Sequence, residues 1–81
     1  MYALIQDRDG QELARYALTG DDALDCDTYA DRFARDFGVS LEGEQPGASI
    51  PDGCEDVSVT LTDEPGAARA WSSRNYMMTT E

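Results

Sequence analysis

The sequence predicts a small α+β domain, an antiparallel β-sheet made of an N-terminal hairpin plus later strands, with one amphipathic helix packed on one face. Three observations predict it. The chain opens with a short apolar run, a cluster of turn formers and a second alternating run. A single apolar stripe at helical spacing follows, and strict period-two alternation returns near residue 57. Eighty-one residues make one domain, 1–81. At this size folding hides only about 60% of the extended chain's surface. A hydrophobic content of 41% is too high for a wholly disordered acidic tail.

Tyr2-Ala3-Leu4-Ile5 reads as the first strand and Asp7-Arg8-Asp9-Gly10 as its turn. An apolar pattern resumes at Leu13, with Ala14, Tyr16 and Leu18. Together these predict a β-hairpin, with Gly10 supplying the positive φ such a loop needs. A calcium loop over residues 7 to 12 is excluded by spacing, because the EF-hand pattern puts glycine at its sixth position and a third acid before it.

After Thr19-Gly20 a helix is expected from about Asp22 to Phe37. Ala23, Cys26, Ala30, Phe33 and Phe37 fall on one stripe flanked by Tyr29 and Ala34, while Asp21, Asp25, Arg32 and Asp36 point away. Asp21 or Thr19 is the expected cap, Asp22 and Asp25 suit the positive end of the helix dipole, and Gly38 stands where the helix should stop. At i,i+4, Asp31 is expected to pair with Arg35 and Arg32 with Asp36.

Residues 39 to 55 hold Pro46, Gly47, Pro51 and Gly53 and read as a long loop, with a few extended residues around Ser49 and Ile50. Val57, Val59 and Leu61 alternate with Ser58, Thr60 and Thr62, a half-buried strand expected to join the hairpin. Ala67 to Trp71 suggests one helical turn, and Tyr76-Met77-Met78 a final edge strand.

The chain has no His and no Lys, so the usual groups for proton transfer near neutral pH are missing, and an enzyme is not expected. Acid pairs such as Asp25 with Asp27, or Glu55 with Asp56, suit a hydrolase in principle. With 17 acids in 81 residues, such pairs are expected from composition alone. Phosphate-binding glycine loops are absent, and no cofactor is implied. Cys26 and Cys54 have no second Cys nearby and no His to complete a zinc site, so no metal site is expected. They are expected as a buried, reduced pair, with a disulfide tying the central loop to the helix as the alternative.

Charge is what sets the chain apart. Six Arg stand against 17 Asp and Glu, for a net charge of -11. Between Arg35 and Arg69 there is no cation, whereas Asp36, Glu42, Glu44, Asp52, Glu55, Asp56, Asp63 and Glu64 place eight carboxylates there. Two unit charges 10 Å apart in water repel by roughly 0.4 kcal/mol, so such a cluster opposes compaction. It also disfavours direct contact with nucleic acid or an anionic membrane. The apolar start is too short for a secretory segment and no run reaches a membrane span, so a cytoplasmic protein is expected.

The acids Asp21-Asp22, Asp25-Cys26-Asp27, Glu42-Gly43-Glu44 and Glu55-Asp56 carry a resemblance, in length and charge across the whole chain rather than in a motif. The chain resembles the small acidic inhibitor proteins of phages and mobile elements, including anti-CRISPR proteins and other DNA mimics. The resemblance implies a non-enzymatic inhibitor that occupies a basic, nucleic-acid-binding surface of an effector complex such as a CRISPR system. Asp21, Asp22, Asp25, Asp27, Glu42, Glu44, Glu55 and Asp56 are then its partner-binding residues. The rival reading is a small acidic interaction or subunit module of a salt-adapted proteome, with no inhibitory role. Mimicry gathers acids on one side and leaves another neutral, whereas salt adaptation spreads them evenly. Either reading leaves homodimerisation through a strand edge open.

Overall fold

The computed structural model describes residues 1–43, 53–63 and 70–80. Their elements run β1 (Tyr2–Asp7), β2 (Glu12–Ala17), α1 (Cys26–Phe37), β3 (Val39–Glu42), β4 (Cys54–Thr62) and β5 (Ala70–Thr80). The strands form one antiparallel sheet in the order β2-β1-β4-β5-β3, with α1 packed across one face. The α+β architecture read from the sequence is the one observed. No helix among the described residues is long and apolar enough to cross a membrane.

The hairpin forms where the local chemistry places it. Gly10 takes φ 83°, and the Asp7 carboxylate closes the turn by accepting the Asp9 and Gln11 amides at 2.9 Å. A register shift beside Ile5 and Gln6 puts Glu12 and Arg15 on the same side of β2, where they pair at 2.7 Å. β1 then aligns with β4 so that Ala3 faces Leu61 and Ile5 faces Val59. These four side chains, at most 1% exposed, are the floor on which the helix sits.

The helix starts later than its apolar spacing suggests. Asp22 does not enter it, because its carboxylate accepts the Thr19 amide at 2.5 Å and the Thr19 hydroxyl at 3.1 Å, closing a local turn instead. Asp25, rather than Asp21 or Thr19, is the cap: its backbone is extended and its side chain accepts the Asp27 amide at 3.0 Å. Ala23 therefore lies off the stripe, and its carbonyl accepts the Tyr29 hydroxyl at 2.9 Å. Cys26, Tyr29, Ala30 and Phe33 are buried against the sheet, but Phe37 stacks on Phe33 and stays 54% exposed, because the helix ends there. Gly38 stops it with φ 66°, its amide bonding the Ala34 carbonyl.

The expected i,i+4 ion pairs do not form. Arg32 lies over the Tyr16 ring, 5.3 Å from its centre, and Asp36 accepts the Tyr16 hydroxyl at 3.0 Å. β2 competes for both side chains and fixes the far end of the helix to the sheet. Burial, with help from the Asp36 bond, pushes the Tyr16 hydroxyl up to about 12.

Two elements differ from expectation. Residues 39 to 42 are a strand, not the start of a loop, because Val39 and Leu41 pack on the core while the backbone pairs with β5. Cys54, Glu55 and Asp56 likewise belong to β4. Tyr76-Met77-Met78 lies in β5, which is interior, with β4 on one side and β3 on the other; the edges are β2 and β3. Ala70 and Trp71 are strand rather than helix; Ala67, Ser49, Ile50, Pro46 and Pro51 lie outside the described residues. Both cysteines are free thiols: Cys26 is buried, with its thiol toward the Val59 carbonyl at 3.5 Å, whereas Cys54 is half-buried.

Two measurements check this account. Gly38→Ala forces a left-handed conformation on a residue with a Cβ although nothing crowds the site, so it should cost about 1 kcal/mol in urea unfolding. Gly20→Ala, equally uncrowded but without positive φ, should change stability by less than about 0.5 kcal/mol. Tyr16 ionises near pH 10 in an unfolded chain and near 12 in the fold. Its contribution is therefore complete below about pH 10 and lost as pH rises through about 12. Urea midpoints should fall over that window, and by less in Tyr16→Phe.

Candidate binding surface

The sheet has two faces of different character. Val57, Val59 and Leu61 point toward α1, so Asp56, Ser58, Thr60 and Thr62 point away from it. Pairing extends the second set into rows. Gln6, Ser58 and Asn75 lie side by side, as do Leu4, Thr60 and Ser73, and the centre of this open face carries no charge.

The candidate acids divide between these faces. Asp21, Asp22, Asp25 and Asp27 gather at the entry to α1, on the helix side, and all are exposed. Glu55 faces the helix side near the end of β4, while Asp56 and Glu42 flank Met77 in one row of the open face. Glu44 lies outside the described residues. The seven described acids thus do not form the single patch that sequence proximity suggested, because alternation along β4 sends neighbouring Glu55 and Asp56 to opposite sides.

Three of the helix-entry acids also have structural work. Asp25 caps the helix and Asp22 closes the turn before it; the Thr19 amide and hydroxyl hold the Asp22 carboxyl below its ordinary range. Asp27 is the most engaged. Arg74 Nη1 sits between its two oxygens at 2.8 and 2.9 Å, the Tyr76 hydroxyl donates to Oδ1, and the guanidinium lies 5.5 Å from the centre of the Tyr76 ring. Burial first, and the Asp27 bond second, push the Tyr76 hydroxyl well above the usual phenol range. This clasp ties the start of α1 to β5. Cys26 sits beside it with its thiol raised by burial.

Beside β4 the hairpin turn forms a second charged region. Asp7, Arg8 and Asp56 border a concavity of about 220 Å³ with Ser58 and Asn75. A smaller one, about 80 Å³, adds Asp9 and Glu55. Arg8 therefore stands among the acids that lack a cation near them in sequence. Among the described residues, Asp56 Oδ1 is shielded from solvent without a hydrogen-bond donor, and Arg74 Nε without an acceptor. Among the described residues no three His, Cys, Asp or Glu converge as metal ligands.

In the sequence Arg74 stands out, with Arg8 and Arg15, only as a mixed-charge region that mimicry leaves unexplained, and Tyr76 only as part of a final strand; their joint role in organising the helix side is not expected from it. The available signal was their i,i+2 spacing, which puts both on the same strand face. No family model, curated protein or solved structure matches this chain.

The clasp can be measured. Asp27 and Arg74 are 52% and 38% exposed, so a double-mutant cycle with alanine should give a coupling of about 0.5 to 1 kcal/mol. The coupling should shrink as salt is added. Zero coupling at low salt would contradict the geometry.

Proposed function

We propose that this protein is a non-enzymatic inhibitor whose acidic helix side occupies a basic, nucleic-acid-binding surface of an effector complex such as a CRISPR system. The observation that carries this reading is asymmetry. Asp21, Asp22, Asp25, Asp31 and Glu55 project from the helix side or its ends, while the centre of the open sheet face, Leu4, Gln6, Ser58, Thr60, Ser73 and Asn75, carries no charge. A cationic groove shaped for phosphates would be drawn to the first surface and not to the second. The structural duties of Asp22 and Asp25 favour the reading as well, since they hold these charges on a fixed backbone. A preorganised surface loses less freedom on binding than a mobile acidic tail.

The protein acts here by occupancy, with no bond made or broken and no cofactor. Its partner is a basic protein rather than a nucleic acid or a membrane, and its setting is the cytoplasm, where such effectors work. Asp21 and Glu55 are the acids to alter, because each is exposed on the helix side and neither belongs to the cap or the clasp.

The test is displacement of a fluorescent target duplex from a panel of purified CRISPR effector–guide complexes. The protein should displace DNA from at least one, and added salt should weaken its affinity. Reversing Asp21 and Glu55 together to Lys should weaken displacement by about tenfold or more at low salt. No displacement across the panel, or displacement indifferent to salt and to these charges, would overturn the reading.

A further inference from the structure

A groove of about 330 Å³ opens between the first two turns of α1 and the neighbouring strands β5 and β3, lined by Asp27, Asp31, Leu41, Gly43, Arg74 and Tyr76. Its charges are unequally committed. Asp27 is held by Arg74 and Tyr76, whereas Asp31, one helical turn further on and exposed, makes no ion pair or hydrogen bond among the described residues. Leu41 is half-buried and gives the groove an apolar wall. Gly43 keeps the end clear, since a Cβ there would lie 3.2 Å from Arg74 Nη2.

The geometry points to a docking site for an arginine side chain of a basic partner, its guanidinium on Asp31 and its aliphatic stem along Leu41. This rests on the inhibitor reading for its partner, but the groove's preference follows from its own lining. Two carboxylates face one guanidinium inside it, on a chain of net charge -11, so an anion is repelled. A bare metal ion needs several ligands, and no three converge among the described residues. Arginine suits the place better than lysine, because its flat, weakly hydrated fork matches a carboxylate and its stem lies readily on apolar surface.

The test uses the intact 15N-labelled protein and three acetylated, amidated tripeptides, Gly-Arg-Gly, Gly-citrulline-Gly and Gly-Glu-Gly. The arginine peptide should give saturable shifts centred on the amides of Asp31, Leu41 and Gly43. The citrulline peptide, of the same shape without the charge, should bind about fivefold more weakly, and Asp31→Asn should cost the arginine peptide a similar factor. Equal binding of arginine and citrulline, preference for the glutamate peptide, or shifts centred elsewhere would overturn the proposal. If the peptide occupies the groove but the protein displaces no DNA from any effector, the inhibitor reading falls and the groove stands. Salt-sensitive displacement that Asp31→Asn leaves unchanged, with the groove ignored by arginine, sinks the groove alone.

Discussion

The structure depends on the contact between one short apolar stripe and alternate, helix-facing positions of β1, β4 and β5. Cys26, Tyr29, Ala30 and Phe33 bury against Ala3, Ile5, Val57, Val59, Leu61 and Tyr76, and this is the cluster that holds α1 to the sheet. In a domain this small little apolar area is left to offset charge repulsion. The polar contacts around the stripe are correspondingly specific. At one end Asp27 joins Arg74 and Tyr76; at the other Tyr16 meets Asp36 and Arg32. Each fixes the helix to a different strand, so the acids it carries are displayed in a set orientation.

Much of this was legible in the residues themselves. The hairpin was readable because a turn is local chemistry, and β4 because Val57, Val59 and Leu61 alternate cleanly on a half-buried strand. The helix was readable from its stripe but not at its start, where the Asp22 side chain prefers Thr19 to a helical role. β3 was hidden because Val39–Glu42 is only four residues and becomes a strand through pairing with distant β5. β5 was readable only at Tyr76-Met77-Met78, and its first half was hidden for a different reason. Arg74 takes a helix-facing position opposite Val59, where a strand pattern calls for an apolar residue, and it is tolerated there because Asp27 neutralises it.

The candidate surface was legible in composition and illegible in arrangement. Counting cations along the chain isolates the acids from Glu42 to Asp56, yet antiparallel pairing brings Arg8 beside Asp56, and Arg74 reaches Asp27 across 47 positions. What remains is a helix side with carboxylates such as Asp21 and Asp31 that have no partner among the described residues, and an open sheet face whose centre is neutral. An even coat of acids serves solubility in every direction, whereas the proposed inhibitor reading rests on the carboxylates held on the helix side.

Hydrogen exchange of the protein bound to a captured effector, compared with the free protein, tests this most directly. The account predicts slowed exchange in residues 19 to 31 and at Leu41 and Glu55, with Ser58, Thr60 and Asn75 unchanged. Protection centred on the neutral sheet face, with the helix side exchanging as in the free protein, would contradict it.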